Sequence, residues 1–306
     1  MIQTAARNCK FALFCLAPIK QAGDMKLPGR AAPSSRRSFL RNLSLSIAAG
    51  SLVRPVRLRA QTPAASVNRF RFLVVNDIHH VSPECTPFME ALVLHMQEQG
   101  PVDFCLNVGD LADLGARESL VAVRDIFAAL GAPVYPVPGN HDCDVGENTD
   151  LYSEIFPDRL NYSFAHRGWQ FIGLDSTDGN KWNETRVGDA ALSFLDTAAR
   201  DLDRKAPTVL FTHFPMATDV RWASLSGADV LSRLDDLNLR CAFSGHFHAR
   251  TERTHGRAAV LTNTCCSRVR GPHDDTTAEG YLVCTAHPDG RLDRVFIPYK
   301  PAEKQA

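Results

Sequence analysis

Five apolar runs in this chain each stop at residues able to bind a metal or move a proton. Val75 precedes NDIHH, Val108 precedes GDLADLG, Val137 precedes PGNHD, Phe211 precedes THFP, and Phe243 precedes SGHFH. The inventory is Asp77, His79, Asp110, Asn140, His141, His213, His246 and His248. Carboxylate, imidazole and amide oxygen together, with no cysteine in the set, suit borderline or hard divalent ions such as Mn, Fe, Zn, Co or Ni. Each motif alone is weak: an Asp after a strand can be a cap, Gly-Asp occurs in many turns, and a single histidine is commonly structural. Their repetition at the ends of five runs carries the reading. Gly109, Gly139 and Gly245 stand beside these residues, where the lack of a Cβ lets the backbone turn tightly and approach closely.

For these residues to act together, the elements before them must deliver them to one place. Residues 69–75 read as a strand, 86–100 as a helix entered through Thr86-Pro87 and closed by Gly100, and 103–108 as a second strand, which makes a βαβ unit. A helix over 118–131 carries Leu120, Val123, Phe127 and Leu130 at helical spacing and leads into a third strand ending at Val137. Further along come a helix over 189–203, a strand over 208–213, a helix near 226–238 and a strand over 240–245. Two hairpins are expected, NYSFAHRG with WQFIGLD, and RAAVLT with the segment from GYLVC to FIPY. The pattern predicts one α/β domain with extra antiparallel strands at its C-terminal end. In such sheets the carboxyl ends of the strands line one edge, so residues between 77 and 248 converge there on a single site.

The ordered series D-x-H, G-D, G-N-H-D, H and G-H-x-H resembles that of the calcineurin-like metallophosphoesterases. LDST at 174–177 and the Gly-Asp pair opening the helix at 189 fit the same pattern. The resemblance implies a two-sheet β-sandwich flanked by helices (αββα) and a metal-dependent phosphoric ester hydrolase holding two divalent ions. By motif, Asp77, His79, Asp110 and His248 would take one ion, and Asp110, Asn140, His213 and His246 the other. His141 would face the substrate as the catalytic group. Two cations about 3.5–4 Å apart repel, and a shared carboxylate between them, here Asp110, screens that repulsion. The pair would supply hydroxide for in-line attack on phosphorus, while His141 would protonate the leaving oxygen or stabilise charge on the phosphoryl oxygen. GNHD with aspartate, the lack of RGNHE, and the lack of tyrosine in GDLADLG resemble the small phosphodiesterases of the family, nearest the cyclic-nucleotide type. The substrate expected is a small phosphodiester or phosphomonoester. The rival readings are a nuclease on the same metals and a catalytically inactive scaffold.

Other polar residues carry plainer expectations. Asp142 either orients His141 or is an exposed turn carboxylate, and His80 belongs to the cleft wall. His95, His166, His255, His273 and His287 do no chemistry. Arg268 and Arg270 could reach a phosphate, but solvated side chains are the favoured reading.

Charge separates the chain's head from its body. Residues 1–60 hold eleven Lys and Arg against one acid, Asp24, leaving 23 basic and 33 acidic residues over 61–306. A body with net charge −10 lacks the footprint of a nucleic-acid binder, so polymeric nucleic acid is not the expected partner. SSRRSFLR at 34–41, followed by the mildly apolar NLSLSIAAGSLV, resembles a twin-arginine export signal. The apolar run is shorter than the roughly 20 residues that span a bilayer. The expectation is export of the folded protein by the twin-arginine machinery to the periplasm or beyond, with no stable membrane anchor after processing. Met25 would begin a signal of more usual length. The division expected is a head over 1–60 and one domain over 61–306. The body's seven cysteines show no CxxC zinc spacing, and no obligatory disulfide is expected.

Overall fold

The strand β1 (Phe70–Val75) shows how the layers arise. Its backbone sends Phe70, Phe72 and Val74 to one side and Leu73 and Val75 to the other, all buried, so it must be covered on both faces. A computed structural model describes residues 69–300 and shows what covers them.

In the first sheet, β1 lies beside β2 (Phe104–Val108) and β3 (Val134–Val137), all parallel. On its other side come β10 (Gly280–Ala286) and β11 (Leu292–Pro298), antiparallel, so the order is β11-β10-β1-β2-β3. The second sheet contains β4 (Tyr162–His166), β5 (Trp169–Leu174), β6 (Pro207–Thr212), β7 (Asn238–Ser244), β8 (Thr251–His255) and β9 (Ala258–Thr262). Its order is β4-β5-β6-β7-β9-β8, with β5, β6, β7 and β9 parallel.

Between the sheets lies a core rich in aromatic residues. Phe70, Phe72 and Phe104 meet Trp169, Phe171, Phe211 and Phe243 there. Phe72 stacks on Phe104 at 5.1 Å, and Phe171 meets Phe104 edge-on at 5.1 Å, geometries worth about 1 kcal/mol each beyond burial. Tyr162 clasps the sheets by donating from its hydroxyl to the Pro136 carbonyl at 2.8 Å. Outside the first sheet pack α1 (Thr86–Glu98), α2 (Arg117–Ala128) and α3 (Asp150–Ile155). Outside the second pack α4 (Asp189–Asp201) and α5 (Gly227–Ser232). The result is a helix–sheet–sheet–helix sandwich.

Two expectations are corrected. RAAVLT does not pair with the segment beginning at GYLVC: β9 pairs with β8 and β7 in the second sheet, while that later segment folds on itself as β10 and β11 in the first. Strand β8, TERTH, is polar and mostly exposed, so it carries no apolar alternation to read. The helix near 226–238 stops at Ser232, after which i→i+3 turns close on Leu234 and Leu237. All seven cysteines of the described residues are buried and unbridged, Cys105 and Cys241 within strands. Residues 1–68, with the arginine pair and the head, lie outside the described residues.

Candidate metal centre

Strands β1, β2 and β3 of one sheet and β6 and β7 of the other end at the same edge. Asp77 and His79 follow β1, Asp110 follows β2, Asn140 follows β3, His213 follows β6, and His246 and His248 follow β7. The turns that follow are tight. Asp77, His79, Asp110, His246 and His248 all adopt positive φ, from 50° to 67°. That region costs an L-residue about 1–2 kcal/mol each, so other interactions must hold these side chains inward. Backbone bonds supply part of this: the amides of Ile78 and His79 both donate to the Asp110 carbonyl, at 2.9 and 3.0 Å, and the Gly245 amide donates to the His213 carbonyl at 2.9 Å. A Cβ on Gly139 would stand 2.1 Å from Asp110 Oδ1, and one on Gly245 2.5 Å from Asp77 Oδ2, so only glycine admits these approaches.

Each of the four histidines has one ring nitrogen taken by an oxygen behind it. His79 Nδ1 meets Asp113 Oδ1 at 2.9 Å, His213 Nδ1 meets the Val108 carbonyl at 3.1 Å, and His248 Nδ1 meets the Gly271 carbonyl at 3.1 Å. His246 uses Nε2 instead, 2.7 Å from the Trp182 carbonyl. A ring that donates on one side presents a lone pair on the other, which is how metal-binding imidazoles are oriented.

The presented atoms form two groups. His79 Nε2 lies 3.3 Å from His248 Nε2 and 3.6 Å from Asp110 Oδ2, and His248 Nε2 lies 3.3 Å from Asp77 Oδ1. Asp110 Oδ1 lies 3.3 Å from His213 Nε2, within a second group with His246. Asn140 is buried, and its Oδ1 has no hydrogen-bond partner among the described residues. A buried amide oxygen without a donor costs about 1–3 kcal/mol, and a cation would satisfy it. The donor set therefore fits two divalent ions, with Asp110 offering one oxygen to each group.

The electrostatics show the same demand for positive charge. Burial alone would raise the Asp77 carboxyl, but His248 and His213 outweigh it and hold the group at about 2. Burial would lower His213, yet the charges of Asp110 and Asp77 push it up to about 9. His246, pressed by burial and by His213, falls to about 3.

His141 stands at the rim, half-buried, its Nδ1 2.8 Å from Asp113 Oδ1 and its backbone amide donating to Asp110 Oδ1 at 3.0 Å. Burial lowers its pKa, but the charge of Asp110 and the bond His141 donates to Asp113 outweigh burial and hold it above the usual imidazole value.

Several expectations about neighbouring residues are overturned. Asp142 neither orients His141 nor lies exposed. It is fully buried and accepts from the amides of Leu111, Ala112 and Gly139 at 3.1, 2.8 and 2.9 Å, tying the GNHD turn to the GDLADLG turn. The single 3-10 turn over Asn140–Asp142 rotates adjacent side chains about 120° apart, which sends Asp142 inward as His141 faces out. Asp113 takes the orienting role, and the trace of it in the sequence is a second acid three residues after Asp110. His80 is not in the cleft wall: it is buried between helices, 3.1 Å from Ser119 Oγ and 3.2 Å from Thr86 Oγ1. Arg270 is not simply solvated, because Asp113 Oδ2 draws its guanidinium to 3.2 Å at the site's edge. His273 stacks on His248 at 4.5 Å and so belongs to the mouth of the site. Asn76, passed over in the sequence, donates to Asp77 Oδ2 at 2.5 Å and anchors that carboxylate.

A helix-flanked double sheet with paired Asp/His clusters at its strand ends defines a metal-dependent phosphoesterase. Residues 70–250 match the calcineurin-like phosphoesterase family, and the chain belongs to it. Over 220 residues it is 29% identical to the 3',5'-cyclic adenosine monophosphate phosphodiesterase CpdA of Pseudomonas aeruginosa, covering 64% of this chain and 75% of that protein. A 3',5'-cyclic-nucleotide phosphodiesterase of Nostoc is 24% identical over 207 residues, 62% of this chain and 77% of the relative. In structure the chain is similar to a dimetal phosphatase from Danio rerio, with a TM-score of 0.57 and 16% identity, covering 76% of this chain and 99% of the other.

Proposed function

We propose that this protein is a dinuclear phosphodiesterase for small phosphate esters, acting outside the cytoplasm. The observation that carries the dinuclear reading is Asp110, whose two oxygens face separate histidine groups while the buried Asn140 Oδ1 lacks a donor among the described residues. Asp77, His79, Asp110 and His248 would hold one ion, and Asp110, Asn140, His213 and His246 the other. When bound, two divalent ions supply Lewis acidity and a hydroxide nucleophile near neutral pH.

The chain's own residues do the rest. His141, fixed at Nδ1 by Asp113, presents Nε2 as the proton donor to the departing alkoxide. Arg270, held by the other oxygen of Asp113, offers its guanidinium to a phosphoryl oxygen at the same edge. His80 and Asp142 keep the turns in register from beneath. The relatives named as cyclic-nucleotide phosphodiesterases favour a diester over a monoester, and the acidic body disfavours a polymeric nucleic acid. The arginine pair and short apolar run support export, which would place hydrolysis where phosphate esters are scavenged rather than where they signal.

The test is a panel of mono- and diesters with Mn, Fe, Zn, Co and Ni supplied separately to metal-stripped protein. Metal-dependent cleavage of a diester is expected, and inertness toward every ester with every metal would refute the reading. Replacing Arg36 and Arg37 by Lys should leave the chain unprocessed in the cytoplasm; normal processing would remove the case for export.

A further inference from the structure

The chain has three tryptophans, and they divide sharply. Trp169 is a core residue, 1% exposed, with its indole N–H donating to the His287 carbonyl at 3.1 Å. Trp182 and Trp222 stand together at the metal centre instead, on the loops that follow β5 and β6. Trp182 is 57% exposed, although its own carbonyl is the oxygen that holds His246. Its ring meets Trp222 at 5.7 Å and 87°. Trp222 in turn meets His246 at 5.9 Å, Phe247 at 5.7 Å and His273 at 5.0 Å, and His273 stacks on His248. An aromatic wall thus runs from solvent down to two histidines of the candidate metal centre.

This wall is built to stay in place. The Leu225 amide and the Ser224 hydroxyl both donate to the Thr185 carbonyl, at 2.9 and 3.3 Å, and the Val187 amide donates to Ser226 Oγ at 3.2 Å, so the two tryptophan loops are stitched together below the rings. Trp222 sits at φ 58°, a conformation a bulky L-residue adopts only where its surroundings enforce it. Arg221 lies over one face of Trp222, its Cζ 4.2 Å from the ring centroid. Core packing explains none of this exposure. The open indole of Trp182, backed edge-on by the half-buried Trp222 beside a site for a phosphate, fits a ligand with a planar ring a short distance from its phosphorus, since every nucleobase has a π-face and stacks with little regard to sequence.

We propose that Trp182 and Trp222 form the platform on which the base of a nucleoside phosphodiester stacks, making nucleotides rather than base-free diesters the preferred substrates. This rests on the phosphodiesterase reading above. The test compares adenosine 3',5'-cyclic monophosphate with glycerophosphoethanolamine, which has no ring, using the full-length metal-loaded protein. In parallel, calorimetry compares binding of adenosine monophosphate with that of ribose 5-phosphate. For Trp182→Ala and Trp222→Ala, the ratio of kcat/KM between the two diesters should fall about 10-fold or more, mainly through KM, and nucleotide binding should weaken by a similar factor relative to ribose phosphate. Trp182→Phe should restore most of the ratio. Equal losses on both diesters and both binding ligands would overturn the platform. If the wild type cleaves neither diester, the phosphodiesterase reading fails, and the calorimetric comparison still decides whether the tryptophans bind a base.

Discussion

Asp113 Oδ1 lies 2.8 Å from Nδ1 of His141 and, through the same atom, 2.9 Å from Nδ1 of His79. One carboxylate therefore orients both the proposed proton donor and a proposed metal ligand. Its pKa is driven far below the usual range, since the bonds and charges of His141 and His79 outweigh the effect of burial.

Asp113→Asn should accordingly damage two functions at once. Metal affinity at the centre containing His79 is expected to fall about 10- to 100-fold, the usual cost of losing a partner behind a ligand, and kcat should fall beyond what added metal restores. Metal titration with turnover measured at saturating metal separates the two. Full activity once metal is replenished would show that the bond to His141 is idle.

Asp110 has its two oxygens on different histidines, His79 and His213. Asp110→Asn should weaken both centres, because it removes the charge they share, whereas His79→Ala should weaken one. Elemental analysis after gel filtration reads this directly. Retention of a full metal pair by Asp110→Asn would break the bridging assignment.

His141→Ala removes no proposed metal ligand. Metal content and fold should persist while turnover drops roughly 10²–10⁴-fold, the range for a positioned acid or base. An ester with an alkyl leaving group should suffer far more than one releasing an acidic phenol, which departs without a proton. Equal losses would point to charge stabilisation at the phosphoryl oxygen instead.

His80 offers a test of stability against pH. Burial holds its pKa below the ordinary 6.5, so the folded state keeps the ring neutral while the unfolded chain binds a proton. The unfolded state thus carries more protons between the folded pKa and 6.5, and stability declines as pH falls through that window and is unaffected above it. In metal-stripped protein, His80→Gln should lose less Tm than the wild type on going from about pH 7 to pH 5. Parallel Tm curves for the two proteins would refute the claim.

Much of the architecture is legible in the residues alone, because strand and helix periods are local. The alternation through β1 and the apolar run of β2 need only the backbone's period of two. The convergence of Asp77, Asp110, Asn140, His213, His246 and His248 follows from parallel strands sharing one carboxyl edge. Sequence alone could not assign β9 to β8 and β7 rather than to β10, since a five-residue apolar strand fits several edges and the polar β8 leaves no signal of its own. It could not choose between Asp113 and Asp142 as the partner of His141 either. Adjacency in the chain favours Asp142, but a 3-10 turn rotates neighbours apart and buries that carboxylate against three amides. Asp113 reaches His141 because the turns after β2 and β3 are packed against each other. The same holds for Arg270, His273 and the two tryptophans, which come from loops far apart in the chain. Their positions depend on long-range contacts between loops, which no local period encodes.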